Sequence, residues 1–435
     1  MKKIRPSNVN ALQFFQLARY GTLMLIGVLL AKSQLGAVNI GHYETFLLIA
    51  GAFTFFWVNG LLKVMMPLSA EKDEKEQPKL VFNLFLLLLA FSVLAGILVL
   101  FIHQPFSSLL LNGNELQMPW LLALYILLNS PAMLIEYVYL INKRPGKIIT
   151  YACIIFSLQL LAVGLPPFLG LGLEAILYGL LGIALIKFIW LLNVLKHFST
   201  AGIAPTLFAD FFRFGTPLIL STLLSSSARY IDGFIITSQF SPEQFAIFQY
   251  GARELPLALL LSNSLSMAML PAFAKADLAS PLAEFRSEVY RLHWTLFPVS
   301  IALMLTSHWF YPLVFNPNFE ASASIFNIYL LLVISRVLFP QTLIVAKKMN
   351  RVIVKASLFE IVINVGLSLW WVRTMGITGV AYATVAAYLL EKIYLVLAVR
   401  RRLKINISSY LPLPLYLISV AILLITFIFV EFIVY

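Results

Sequence analysis

The chain has 435 residues, 61% of them hydrophobic and only 11% charged, with a net charge of +12 and a mean hydropathy of +0.91. A water-soluble domain carries about 25% charged residues and cannot keep so large an apolar excess out of water. A soluble nucleic-acid binder, which the charge alone would suggest, is thereby excluded.

Continuous apolar runs between polar breaks predict spans at 11–31, 43–66, 80–102, 118–141, 148–169, 172–195, 214–238, 245–270, 292–315, 324–346, 352–373, 376–399 and 411–434. Each approaches the roughly 20 residues that cross a bilayer as a helix. The runs do not alternate, so the expectation is helices, which satisfy their own backbone hydrogen bonds in hydrocarbon, and not a barrel. The expected fold is therefore an all-α polytopic membrane protein with about 13 transmembrane helices. Pro217, Pro256, Pro298 and Pro340 fall inside runs and are expected to kink or hinge them.

The first run is too long and too polar, with Gln13, Gln16 and Arg19, for a cleaved signal segment, and is read as a retained helix. Basic residues gather on every second connection, from Lys2, Lys3 and Arg5 through Lys72, Lys75 and Lys79 to Arg400, Arg401, Arg402 and Lys404. The opposite connections hold only Lys32 and Arg373. The positive-inside rule then places the N-terminus in the cytoplasm of a multi-pass inner-membrane protein. The acidic and basic cluster at 71–76 reads as a solvated turn. Cys153 stands alone, and the five histidines, read as interfacial or solvated, have no ligand spacing, so neither a metal nor a cofactor is expected.

Six spans, a cytoplasmic loop near 196–213 and six more suggest a duplication. Ser33-Gln34-Leu35 after the first span matches Ser238-Gln239-Phe240 after the seventh. The domains expected are an N-terminal half at 1–200, a C-terminal half at 201–404 and an accessory helix at 405–435. Two halves of even span number share one orientation, the parallel-repeat plan of a transporter with its path between them.

This topology leaves Arg19, Lys63, Lys187, Arg229, Arg253, Arg336 and Lys392 inside spans. An intramembrane charge costs about 2.5–3.5 kcal/mol and generally faces a cavity or a partner. Lys63 can snorkel, and Lys187 and Lys392 are read as structural. Arg229 and Arg253 stand twelve residues before and after Ser241, which on two continuous antiparallel helices sets them at equal depth. Thr222, Ser225, Ser226 and Asp232 fall on the Arg229 face, Ser264 on the Arg253 face, and Gln16 and Thr22 beside Arg19. Internal pairing of Arg229 with Asp232, and of Arg253 with Glu254 or an acid of another helix, would explain the charges structurally. Three arginine-centred polar stripes favour instead a shared cationic cavity for an anionic, oxygen-rich group, to which Arg offers a bidentate fork. The intramembrane acids Glu136, Asp232, Glu254, Glu360 and Glu391 also permit ion coupling, with Asp232 and Glu254 the ones beside the arginines.

Several motifs together resemble the multidrug/oligosaccharidyl-lipid/polysaccharide (MOP) exporter superfamily, in its polysaccharide transporter or O-antigen flippase branch. They are Ser33-Gln34-Leu35-Gly36-Ala37, Phe214-Gly215-Thr216-Pro217-Leu218, Arg229-Tyr230-Ile231-Asp232, and Leu261-Ser262-Asn263-Ser264 running to Leu270-Pro271-Ala272-Phe273. The resemblance implies a flippase that moves an undecaprenyl-diphosphate-linked oligosaccharide outward by alternating access, for O-antigen or lipopolysaccharide assembly. Its partners would be membrane lipids and the polymerase and glycosyltransferases of that assembly. It also implies cavity-lining cations on helices one, seven and eight, matching Arg19, Arg229 and Arg253. A thirteenth span departs from the family's twelve or fourteen. Two rivals remain: a cation-coupled multidrug exporter of the same superfamily, and a polytopic glycosyltransferase or polymerase. The latter is disfavoured by short outer connections, the longest expected at 103–117.

Overall fold

A computed structural model describes residues 8–73, 76–274 and 278–434, with the side chains of Val9, Ser225, Pro256 and Leu257 left out. The basic residues Lys2, Lys3, Arg5, Lys75 and Lys275 lie outside the described residues. Every regular element among the described residues is helical: α1 (Asn8–Lys32), α2 (Ala37–Glu71), α3 (Gln77–Leu110), α4 (Pro119–Ala132), α5 (Leu134–Ile141), α6 (Pro145–Gly164), α7 (Leu173–Phe198), α8 (Pro205–Ser226), α9 (Ala228–Gln239) and α10 (Pro242–Gly251). The remainder are α11 (Pro256–Phe273), α12 (Ala279–Val314), α13 (Ala321–Leu330), α14 (Leu332–Arg336), α15 (Pro340–Ala346), α16 (Asn350–Met375), α17 (Ile377–Leu403) and α18 (Leu413–Phe429), with four short irregular helical turns between or after them.

Among the described residues ten helices are long and apolar enough to cross a membrane, or twelve if two bent pairs each count once. The bent pairs are Ala37–Ala52 with Phe55–Glu71, at 49°, and Ala321–Arg336 with Pro340–Ala346, at 47°. The thirteen expected spans are thus not confirmed. The expected span 245–270 is interrupted at 252–255, and the expected span 214–238 is broken at Ser227, its longest apolar helix lying earlier, at Pro205–Leu224. The outer connection placed at 103–117 shrinks to 111–118, because α3 runs on to Leu110.

Prolines explain where many of these helices begin. Pro119, Pro145, Pro205, Pro256 and Pro340 each open a helix, where a missing N–H costs nothing because that donor would be orphaned anyway. Pro256 and Pro340 are therefore helix starts that follow breaks, not the internal kinks expected of them. Pro217 and Pro298 do stay inside α8 and α12. Gly376, at φ +63°, turns α16 directly into α17, a conformation that an L side chain adopts only under strain.

The chain divides into two compact units, one of residues 1–230 and 237–246, the other of 231–236 and 247–435. In the first, α1 packs on α6, α2 on α8, and α4 between α3 and α7. Glycine permits the close approaches: a Cβ on Gly60 would lie 2.8 Å from the Ile219 backbone where α2 meets α8. In the second unit α16 and α17 form a long hairpin, and α18 packs on α12. Segmentation also divides α4 from α5, and α13, α14 and α15 from one another.

Two histidines expected at the interface are instead buried in α12. His293 stacks on Phe297 at 5.3 Å. His308 Nε2 lies 3.0 Å from the Glu431 carboxylate, which also accepts a 2.6 Å bond from the Asn327 amide. The last span is thereby pinned into the second unit by polar contacts as well as apolar ones.

Candidate functional site

In the first unit, Arg19 sits one turn past Gln16 on α1, and its guanidinium donates to the Gln16 side-chain oxygen at 2.5 Å. It lines a cavity of about 170 Å³ together with Asn129, Glu136, Gln159 and Lys187, walled by Phe15, Tyr125, Tyr151 and Phe156. Lys187 donates to Asn129 at 3.3 Å. Thr22 is buried and does not line this cavity.

Arg229 lies just past the break at Ser227. Its guanidinium donates to the Tyr230 hydroxyl at 2.6 Å and its centre sits 4.7 Å from that ring. Tyr230 stacks on Phe55 at 4.4 Å and fits against Gly51, where a Cβ would come within 2.8 Å of the ring. A helix break, an aromatic stack and a glycine thus fix the tyrosine that carries Arg229, which is itself exposed. Thr222 is buried and accepts a hydrogen bond from Lys63 at 3.3 Å, tying α8 to α2. Ser226 is exposed, and the side chain of Ser225 lies outside the described residues.

In the second unit Arg253 occupies the non-helical stretch 252–255, with its guanidinium 4.9 Å from the Tyr250 ring centre. Tyr250 is fully buried, stacks on Phe319 at 4.7 Å, and its carbonyl accepts from the Tyr311 hydroxyl at 3.0 Å. Arg229 thus stays on the continuous helix α9, whereas Arg253 leaves α10 and with it the helix on which the equal-depth expectation rested. Ser264 lies exposed on α11.

Neither acid beside these arginines in sequence neutralises them within its unit. Glu254 pairs with Arg336, whose Nε donates to one carboxylate oxygen and whose Nη2 donates to the other at 2.7 Å. The Arg336 guanidinium also lies over Tyr388 at 5.1 Å. Asp232 accepts from the Thr384 hydroxyl at 2.6 Å, and that oxygen accepts from the Asn364 amide at 3.1 Å. Lys392 is paired with Glu391 at 2.6 Å. Within their own units and among the described residues, Arg19, Arg229 and Arg253 make no ion pair, whereas Arg336 and Lys392 do. A tyrosine face attracts a guanidinium without cancelling its charge.

The sequence reading missed Asn129 and Gln159 beside Arg19, and Asn364 and Thr384 beside Asp232. The signal was present as spacing: Tyr125, Asn129 and Glu136 recur at helical intervals, as do Glu360, Asn364 and Ser368 on α16. Lys187, read as structural, lines the Arg19 cavity.

A family model described as polysaccharide biosynthesis protein matches residues 35–324. No curated protein matches the sequence. The fold is similar to that of the lipid II flippase MurJ in an inward closed conformation, with a TM-score of 0.67 at 18% identity over 94% of this chain and 91% of that one. It is similar also to an inward-facing multidrug resistance MATE family transporter of the MOP superfamily, with a TM-score of 0.60 at 14% identity over 93% of this chain and 99% of that one. A MOP superfamily transporter from Pyrococcus furiosus aligns with a TM-score of 0.53 at 16% identity, covering 93% of this chain and 97% of that one.

Proposed function

The chain belongs to the polysaccharide biosynthesis protein family and has the MOP transporter fold, and from that premise we propose that it is a flippase for polyprenyl-diphosphate-linked oligosaccharide. It would move this lipid across the bacterial cytoplasmic membrane by alternating access, in surface polysaccharide assembly of the O-antigen kind, with its N-terminus in the cytoplasm. The observation that carries this reading is the set of three arginines held by an amide or an aromatic face and, among the described residues of their own units, in no direct ion pair. A diphosphate needs such cations, because it must lose water and counterions to cross hydrocarbon, and guanidinium keeps its charge when desolvated. Arg19, Arg229 and Arg253 are the residues proposed to bind it, with Gln16 and Ser264 contributing polar contacts to the saccharide. Thr222 and Thr22, both buried, are assigned to packing.

Asp232 is proposed as the site of a coupling cation. Its Oδ1, Asn364 Oδ1 and Ser368 Oγ are buried without a hydrogen-bond partner among the described residues, and a carboxylate, an amide oxygen and hydroxyls suit a hard monovalent cation. Glu254 is assigned to structure, since Arg336 holds both of its oxygens. A multidrug exporter of the same fold would need an acidic path for cationic drugs, which unneutralised arginines oppose.

Deletion of the gene is expected to accumulate lipid-linked saccharide in the inner leaflet. Arg229→Ala combined with Arg253→Ala should reproduce that block while drug efflux stays unchanged. Normal surface polysaccharide in cells carrying the double variant would overturn the reading.

A further inference from the structure

The cavity around Arg19 carries chemistry that a diphosphate clamp does not require. Arg19 and Leu23 reach it from α1, Asn129 and Glu136 from α4 and α5, Tyr151 and Gln159 from α6, and Lys187 from α7. All of these helices belong to the first unit. Glu136 and Gln159 are 5% and 8% exposed, line the cavity, and make no hydrogen bond to protein among the described residues. Neither Arg19 nor Lys187 forms a direct ion pair with Glu136 among those residues, although all three line the same space. A buried carboxylate and a buried amide left open toward a cavity are costly unless something with matching donors and acceptors fills it.

The wall is mixed in a particular way. It offers an acceptor-only carboxylate, two cationic donors and two amides that do both, set on a hard aromatic surface where Phe15 stacks on Tyr151 at 6.0 Å and Tyr151 meets Trp190 at 5.2 Å. An inorganic anion would satisfy the cations and repel Glu136. A cationic drug would do the reverse, and drug-sized ligands fill roughly 300–1,000 Å³, more than the 170 Å³ present. A ring of adjacent hydroxyls meets both demands, because each hydroxyl donates to a carboxylate and accepts from an ammonium or guanidinium. Its apolar C–H faces suit the aromatic wall.

We infer that this cavity is a saccharide subsite that seats one pyranose ring of the transported oligosaccharide, with Glu136 and Gln159 as its orienting acceptor and amide. The inference rests on the flippase reading for the origin of that ring, but binding and transport separate the two. The cavity reads the sugar beside Arg19, the cation it shares with the proposed diphosphate site, while Arg229 and Arg253 are not part of its lining.

The test uses the purified full chain and three free sugars as probes: glucose, N-acetylglucosamine and glucuronic acid. Saturation-transfer NMR is expected to show contact with at least one of them at millimolar concentration. Glu136→Gln and Gln159→Leu, which keep side-chain size, should each lower that signal at least fivefold while the melting temperature stays within a few degrees of wild type. Thr374→Ala, at an exposed position of α16 in the second unit, should leave it unchanged. No transfer in the wild-type protein, or transfer undiminished in both variants, overturns the inference. In proteoliposomes the same two variants should slow flipping of the lipid-linked oligosaccharide. If sugar binding is seen and wild-type protein flips no such lipid, the flippase reading fails while the subsite stands; flipping with no sugar contact gives the converse.

Discussion

Removing one partner of the Arg336–Glu254 pair should expose how strongly the two helix breaks of the second unit are clasped together. Glu254 lies in the 252–255 break and Arg336 ends α14, just before the break at 337–339. The two side chains are 17% and 20% exposed, and both carboxylate oxygens are engaged. Breaking a buried pair costs about 3–5 kcal/mol, and partial exposure screens some of that. Glu254→Gln, which leaves one hydrogen-bond acceptor, is expected to cost about 2 kcal/mol. Arg336→Met should cost about 3 kcal/mol, because it also removes the guanidinium from the Tyr388 face, worth about 0.5–1 kcal/mol. The double variant should cost no more than the Arg336 variant alone, since no orphaned charge remains, giving a coupling of about 2 kcal/mol. Equilibrium unfolding of the full chain in mixed micelles, titrated with SDS, measures all three. A coupling below about 0.5 kcal/mol would refute the pairing, and so would a Glu254 variant that couples instead to Arg253→Ala.

Other expectations follow from single contacts. Gly60→Ala should lower stability by about 1–3 kcal/mol in the same unfolding assay, because its Cβ would meet not only the Ile219 side chain but also the Ile219 backbone, which cannot rotate away. Glu431→Gln should cost about 1.5–3 kcal/mol by weakening charge-assisted bonds to His308 and Asn327, and should raise protease cleavage near the C-terminus. Sodium or another monovalent cation should raise the melting temperature of wild-type protein, and Asp232→Asn should abolish that shift. Equal shifts in both would remove Asp232 from the coupling role. Arg229→Lys should lose most of the flipping activity that Arg229 supports, since a point charge cannot reproduce a planar fork seated on the Tyr230 ring; full activity in a proteoliposome assay would argue against bidentate binding.

Membrane class, the helical nature of the spans and most of their borders were legible in the sequence, because hydrocarbon imposes its demand on every residue of a local window. The Ser33 motif lies in the turn after α1, whereas Ser238 and Gln239 still belong to α9. Arg19, Arg229 and Arg253 were likewise visible, as charges in runs that lipid would keep apolar. Their neighbours were not. Sequence adjacency paired Arg253 with Glu254 and Arg229 with Asp232, yet Glu254 serves an arginine 82 positions away and Asp232 a threonine 152 away. Which partner a buried charge takes depends on which helices touch, and hydropathy is blind to that. The same holds for the breaks at Ser227 and 252–255, where apolar sequence runs on and the helix does not. The local chain determined that this protein spans a membrane and carries intramembrane cations. Only the tertiary structure decided which of those cations are ion-paired among the described residues, as Arg336 and Lys392 are, because in a low-dielectric interior that outcome is set by contacts between segments.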